Sequence, residues 1–188
     1  MILKVFIIII IILILFHYNK YNKTVNDYEI EQQELEYIDG NTLYDNLNPL
    51  VITFIENNTL KYNIETYKLY SSISINLKYF LINTTDNYLR HTGELLLIRS
   101  NKDINIELIN PKYIKFFNKN NNNINLENYT LPNVNFKDVV SIDILLHEYN
   151  ILMIPRFWLF KFSIIDTNVE IFKCENIFTK LFNIFTFN

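Results

Sequence analysis

The stretch from Val139 to Phe162, VVSIDILLHEYNILMIPRFWLFKF, constrains the fold of this chain more than any other. It reads as a strand, a tight turn at Tyr149-Asn150, a short strand that ends in Ile154-Pro155, and an aromatic strand. Apolar runs that predict strands occur along the chain at residues 49–55, 73–81, 94–99, 104–109, 139–146, 151–155, 157–165 and 169–174. Many short strands separated by turn residues are typical of a small barrel or a double-sheet jelly roll. The sequence therefore predicts a mainly β domain with few helices.

The N-terminal segment is a second constraint, because Met1–Phe16 reads MILKVFIIIIIILILF and only Lys4 interrupts it. A bilayer core takes about 20 apolar residues, with roughly 17 as the minimum. Met1–Tyr18 meets this requirement if Lys4 extends its ammonium group to the interface. The residues that follow the apolar run, His17 to Asn19, are bulky or polar, whereas signal-peptide cleavage requires small ones. We therefore predict an uncleaved single-pass transmembrane anchor, in preference to a cleaved signal peptide or a buried core helix.

The chain divides into four predicted segments: an anchor at 1–18, a polar stalk at 19–42, a β domain at 43–175 and a C-terminal amphipathic helix at 176–188. The acidic stalk includes a predicted helical stretch at Tyr28–Tyr37. A short helix is predicted at Thr59–Leu69, after an N-cap. Asn118–Asn125 is of low complexity and is predicted to be an exposed loop. The apolar face of Asn176–Phe185 packs against the barrel or lies on the membrane.

Composition excludes several classes of function. A net charge of −3 and an isoelectric point near 5.6 leave no basic footprint for nucleic acid. Cys174 is the single cysteine, so no internal disulfide can form, and we interpret it as a small core residue. The chain has no Gly-rich phosphate loop, no cysteine pair for zinc and no Gly-x-Ser-x-Gly elbow.

Part of the chain resembles a known family. Asn150–Trp158, NILMIPRFW, resembles the back half of a cupin-like barrel of the JmjC type, where a Gly-Asp turn is followed by an apolar run, Ile-Pro and Trp-Trp-His. Asn48–Ile55 is similar to the entry strand of such domains, and Asn110–Ile114 to a mid-barrel loop. The resemblance implies a double-stranded β-helix over about Pro49–Cys174. Together with the anchor and a composition typical of AT-rich codons, it implies a degenerate cupin-like protein of a large DNA virus, in a virion or host-cell membrane.

The same resemblance implies where a metal would bind. Catalytic members hold iron with His-x-Asp/Glu and with a second histidine after the Ile-Pro turn, but Phe160 stands at that second position. The remaining candidate ligands are His91, Glu94 and His147. His91 and Glu94 are one residue too far apart for the motif, and strand residues at i and i+3 point to opposite faces unless a bulge at Gly93 intervenes. We predict no catalytic residue, no metal and no cofactor.

An oxo-acid cosubstrate would also require a basic residue inside the barrel. The candidates are Arg99, Lys102, Arg156 and Lys161, which we interpret as solvated charges. Trp158 is predicted to be a core ring beside Pro155.

These observations predict a non-catalytic, membrane-anchored cupin-like domain that acts as a structural or interaction protein. Its predicted partners are the lipid membrane and another protein, with no nucleic acid. One alternative is an Fe(II)- and 2-oxoglutarate-dependent hydroxylase with the atypical ligands His91, Glu94 and His147. Another is a small-ligand or glycan-binding barrel lined by aromatic side chains. A filled interior would favour the first hypothesis, and an open aromatic cavity would favour the last.

Overall fold

The computed structural model describes residues 2–22, 29–34, 47–53, 74–81, 87–122, 126–132, 139–163, 169–176 and 179. Within them lie a helix, α1 (Ile2–Asn22), and a 3-10 helix (Pro111–Phe116). The strands are β1 (Glu31–Glu34), β2 (Leu50–Thr53), β3 (Ser74–Leu81), β4 (Tyr88–His91), β5 (Leu95–Ser100), β6 (Ile104–Ile109), β7 (Asn118–Asn122), β8 (Leu126–Thr130), β9 (Ser141–Leu146), β10 (Ile151–Pro155), β11 (Leu159–Phe162) and β12 (Val169–Asn176). The predicted mainly β fold is confirmed.

The strands form two six-stranded sheets. The first has the order β1-β2-β10-β5-β12-β3, and the second has the order β7-β8-β4-β11-β6-β9. Among the described strands, β1 and β2 pair in parallel and the other pairs are antiparallel. The arrangement is consistent with a β-sandwich.

The main core lies between the sheets. Leu96, Ile98, Leu152, Ile154 and Ile171 are buried members of it from the first sheet. The second sheet and the turn before it contribute Leu89, Ile106, Leu108, Trp158, Phe160 and Phe162. Side chains on the opposite faces of the same strands, which point away from the main core, form two further clusters on the outer faces of the two sheets. Both faces of β10 are therefore buried, which explains its unbroken apolar sequence Ile-Leu-Met-Ile-Pro.

Several predicted strands are confirmed. Residues 104–109 and 151–155 form strands with the predicted bounds, and the alternation of Ile104–Ile109 gives the expected alternating burial through Leu108. The strand predicted at Phe157–Ile165 is shorter, because Arg156 and Phe157 form a turn and the strand itself is β11. Strands β4 and β8 were not predicted from the sequence.

Two predictions about polar segments were wrong. Residues 31–34 form a strand instead of part of a helix, because their backbone pairs with β2. The sheet therefore begins upstream of Leu43. Residues 118–122 form the edge strand β7 instead of a loop, because their backbone pairs with β8 and Lys119 forms an ion pair with Glu127. Residues 118–120 of this strand are exposed, as predicted. The predicted helix at Thr59–Leu69 lies outside the described residues, and so do residues 177–178 and 180–188 of the predicted C-terminal helix, whereas Asn176 belongs to β12.

Helix α1 has no polar face between Leu3 and Phe16 except at Lys4. Its large apolar side chains in this stretch are between 40% and 71% exposed, and none of them belongs to the core clusters. In the part of the chain that the structure describes, no helix satisfies both the length and the apolarity needed to cross a membrane.

Candidate functional site

Four buried charged or polar side chains and one half-buried threonine lie at one end of the sandwich. We call them the end cluster, which consists of His91, Arg156, Lys173, Glu175 and the half-buried Thr92. His91 ends β4, Arg156 lies in the turn between β10 and β11, and Lys173 and Glu175 belong to β12. Lys173 and Glu175 share the strand face of Ile171, which belongs to the core between the sheets. The cluster therefore brings groups from both sheets together.

Lys173 is the most buried charge of the end cluster, with 1% of its surface exposed. Its Nζ donates a hydrogen bond of 2.8 Å to Thr92 Oγ1 and forms an ion pair with Glu175. Removing such a charge from water costs several kcal/mol, so it has to be offset by partners like these. The ion pair joins two positions of β12, and the hydrogen bond ties that strand to the end of β4.

Gly93 allows this close approach. A Cβ atom built on Gly93 would lie 2.5 Å from the carbonyl oxygen of Cys174 and 2.9 Å from Lys173 Cγ. The neighbouring amide of Glu94 donates a hydrogen bond of 2.8 Å to the same oxygen. Any side chain at residue 93 would push the β4–β5 turn away from β12, so glycine is required there.

His91 is fully buried, and its Nε2 lies 2.9 Å from the carbonyl oxygen of Pro155. Burial lowers the pKa of His91 to about 3; the hydrogen bond to Pro155 opposes the shift, and the positive charges of Lys173 and Arg156 add to it. The imidazole is therefore neutral at physiological pH, and Nε2 carries the proton that it donates to Pro155. Nδ1 is then an acceptor, and no donor of the described residues lies within hydrogen-bonding distance of it.

The low pKa of His91 predicts a loss of stability in acid. The folded pKa of about 3 is below the ordinary histidine value of 6.5 that applies to the unfolded chain, so only the unfolded chain takes up this proton as the pH falls from 6.5 towards 3. The contribution of His91 to stability is complete above pH 6.5 and falls by about 2 kcal/mol at pH 5. We expect His91→Gln to remove this part of the pH dependence, measured by urea unfolding of the full chain in mild detergent at both pH values. His147→Gln, at an exposed position, is the control and is expected to keep it; equal pH dependence in wild type and His91→Gln would contradict the prediction.

A second charged cluster lies on the outer face of the second sheet, around Glu127. This carboxylate is 3% exposed and accepts hydrogen bonds from Arg90 Nε at 2.7 Å, Lys119 Nζ at 2.6 Å and Tyr129 Oη at 2.9 Å. Burial opposes ionisation of Glu127, but the charge of Arg90 and these hydrogen bonds hold its pKa below the usual value. The carboxylate is thus ionised and satisfied, which indicates that it stabilises the sheet.

Rings and guanidinium groups stack between the two clusters. Arg90 Cζ lies 5.1 Å from the ring centroid of Tyr129 and 5.7 Å from that of Phe157. Arg156 Cζ lies 4.8 Å from the same Phe157 ring. Phe157 has a φ of 76°, which is unusual for a bulky residue and costs about 1–3 kcal/mol. The stack of its ring with two cations contributes to holding the β10–β11 turn in this strained conformation.

The interior beside the end cluster is filled by rings. Trp158 is 1% exposed, and its Nε1 donates a hydrogen bond of 3.1 Å to the carbonyl oxygen of Leu47. Phe160 is fully buried and packs edge-on against Phe162 with 5.7 Å between centroids. Phe160 is thus an apolar core residue at the position where the family resemblance implies a metal ligand.

The structure does not bring His91 and His147 together. His91 contacts Pro155 at the end of β10, whereas His147 lies in the turn before the start of this strand. The strand is five residues long and therefore spans about 13 Å, while metal–ligand bonds are about 2–2.6 Å. His147 is exposed, and its Nδ1 lies 3.0 Å from Asp103 Oδ2. The ligand set of the hydroxylase hypothesis is therefore divided between opposite ends of the sandwich.

Glu94 does not join His91 either. Its charge raises the pKa of Cys174, although less than burial does. His91 lies on the inner face of the second sheet, with Leu89. Among the described residues, no group of three His, Cys, Asp or Glu side chains could hold a metal ion. Burial raises the pKa of the Cys174 thiol to about 12, which makes it unreactive.

The four basic candidates are in different surroundings. Arg99 forms an ion pair with Glu170 on the outer face of the first sheet, Lys102 is exposed, and Lys161 lies over the ring of Tyr88. Arg156 is 8% exposed, so its interpretation as a solvated charge was wrong. Lys173 was not among the residues predicted from the sequence, although the alternation of Val169, Ile171 and Lys173 indicates that this lysine points inward.

No protein-family model matches the chain, and no curated protein matches it. The resemblance to JmjC-type cupin-like domains and the viral origin therefore stay predictions that rest on the residues quoted for them.

Proposed function

We propose that this protein is a membrane-attached jelly-roll domain that acts as a structural or interaction module and not as an enzyme. The observation that carries the proposal is the contrast between α1 and the sandwich. The apolar side chains of α1 are 40% or more exposed, while the clusters of the β domain are buried without any contribution from them. A helix that is apolar on every side needs a cover, and a lipid phase provides one.

The pairing of eight strands supports the jelly-roll topology. β6 pairs with β9, β5 with β10, β4 with β11 and β3 with β12, each pair antiparallel. These pairs are nested, and their strands are distributed over two sheets, as expected for a long hairpin rolled up into a jelly roll; this pattern supports the proposed topology. The remaining strands, β1, β2, β7 and β8, extend one end of each sheet.

The surroundings of the titratable groups support a non-catalytic role. A general base works best with a pKa near the working pH, whereas His91 titrates near pH 3 and its Nε2 is held by Pro155. The rings of Trp158 and Phe160 are buried in the interior, which supports a scaffold over a ligand-binding barrel. The end cluster then serves to fix the relative position of β4, β12 and the β10–β11 turn.

We expect the full chain, expressed in cells, to remain in the membrane fraction after extraction with alkaline carbonate. Ile8→Asp with Ile12→Asp is expected to release it, because an aspartate at the centre of a membrane helix costs about 2.5–3.5 kcal/mol. The measurement is the fraction of protein in the pellet. Val140→Asp with Leu145→Asp, at exposed apolar positions of the β domain, is the matched control and should leave the fraction unchanged.

Release of the wild-type chain by carbonate would contradict attachment through an inserted α1. The proposed lack of catalysis has a separate readout in the metal content of the purified chain. Stoichiometric iron or manganese that is lost in His91→Ala would overturn it.

A further inference from the structure

The segment around the 3-10 helix Pro111–Phe116 is an island of positive charge in an acidic chain. Between Asn110 and Leu126 the sequence contains three lysines and no Asp or Glu, while the whole chain has a net charge of −3. Lys119 is neutralised by its ion pair with Glu127, so the charge of this segment comes from Lys112 and Lys115. We call Pro111–Lys119 the basic aromatic turn, because it also contains Tyr113, Phe116 and Phe117.

The basic aromatic turn is held firmly to the sheet beneath it. Asn110 caps the 3-10 helix, and its Oδ1 accepts a hydrogen bond of 3.0 Å from the amide of Lys112. Phe117 is 7% exposed and packs edge-on against Tyr88 at 5.1 Å between centroids, within the outer cluster of the second sheet. The ring of the preceding residue, Phe116, is 40% exposed. Phe117 therefore anchors the turn to the sheet, whereas Phe116 is exposed to solvent.

The cations lie beside rings. Lys115 Nζ is 5.0 Å from the ring centroid of Phe116, and Lys112 Nζ is 5.1 Å from that of Tyr113. Aromatic side chains favour the boundary between water and acyl chains, and lysines favour the anionic headgroups directly above it. An exposed ring beside ammonium groups therefore suits the surface of an anionic bilayer, because the ring can reach the acyl chains while the ammonium groups meet the anionic headgroups above them.

We propose that the basic aromatic turn docks on the anionic surface of the membrane that α1 enters, with Phe116 at the acyl boundary and Lys112 and Lys115 on lipid headgroups. The inference rests on the proposed function, since attachment by α1 keeps the domain at a bilayer. Each lysine near an anionic surface strengthens its attraction about fivefold, and this attraction is screened by salt. Docking would fix the orientation of the sandwich, with the end of β6 at Ile109 nearer the lipid than the end at Ile104, beside which Leu145 of β9 lies.

The test uses the full chain in nanodiscs of phosphatidylcholine with brominated acyl chains, with or without phosphatidylserine. Phe116→Trp places an indole on the turn, and the parent chain with its buried Trp158 supplies the background fluorescence. We expect bromine quenching of Phe116→Trp in discs that contain phosphatidylserine, at least twofold less quenching without that lipid or at high salt, and a similar reduction when Lys112→Gln and Lys115→Gln are added. Leu145→Trp, at the 52% exposed position on β9, is the matched control and should stay unquenched.

Quenching of Phe116→Trp that is as weak as that of Leu145→Trp, or equal in the two kinds of disc, would overturn the docking surface while leaving attachment by α1 intact. Weak quenching would instead favour an acidic protein as the occupant of the turn. A chain that fails to co-purify with the discs would overturn both attachment and docking.

Discussion

Replacement of Lys173 by methionine is expected to lower the free energy of unfolding by about 3–5 kcal/mol. The methionine fills a similar volume, but it removes the ammonium group that forms the ion pair with Glu175 and donates to Thr92. A buried carboxylate that loses its counter-charge is strongly unfavourable in this environment. The measurement is urea unfolding of the full chain in mild detergent, followed by the fluorescence of Trp158, the single tryptophan.

A double variant separates the charge effect from packing. Lys173→Met with Glu175→Leu removes both charges and is expected to lie within about 1 kcal/mol of the wild type, because buried ion pairs are often replaced by apolar side chains without loss. Lys115→Met, at an exposed position, is the surface control and should change stability by less than about 0.5 kcal/mol. A single Lys173→Met variant as stable as this control would show that the end cluster does not support the sandwich.

Truncation of Trp158 to alanine is expected to cost about 3–5 kcal/mol. The indole is 1% exposed, so its loss leaves a cavity between the sheets, and the hydrogen bond from Nε1 to Leu47 is lost with it. Circular dichroism during urea unfolding gives the measurement, because the variant has no tryptophan fluorescence.

Trp158→Phe divides that cost between the ring and the hydrogen bond. It keeps an aromatic ring and removes the donor to Leu47, so we expect a loss of roughly 1–2 kcal/mol. Equal losses in Trp158→Phe and Trp158→Ala would mean that the ring contributes nothing beyond its N–H group, which would contradict the description of Trp158 as a core residue.

The sequence predicts the strands that are bounded by turns and buried on at least one face. Ile104–Ile109 and Ile151–Pro155 were located residue by residue, because alternation and an unbroken apolar run are local signals. Residues 31–34 and 118–122 carry no such signal, since their sequences, Glu-Gln-Gln-Glu and Asn-Lys-Asn-Asn-Asn, are polar. Their strands result from pairing with β2 and β8, and such tertiary contacts override local propensity.

The candidate site was less predictable than the fold. The sequence indicated His91, Glu94 and His147 as candidate metal ligands, but the strand register places the two histidines at opposite ends of β10. Lys173 and Glu175 lie on the same face of β12 as Ile171, and this face meets the second sheet, so their ion pair is buried. Which face of β12 meets the second sheet is set by tertiary packing and not by the local sequence alone. Burial of Arg156 likewise depends on the turn that Phe157 makes with a positive φ.

The nested pairing places the partners of early strands late in the sequence, which affects the order in which the sheet can form. β5 lies between β10 and β12, and β3 pairs only with β12 among the described strands, so two neighbours of the first sheet come from the last part of the chain. During synthesis, β3 and β5 leave the ribosome long before these neighbours exist. Contacts between such distant segments form slowly. The nascent chain therefore has the edges of β3 and β5 unpaired until β10 and β12 have been synthesised, and unpaired strand edges of this kind favour aggregation.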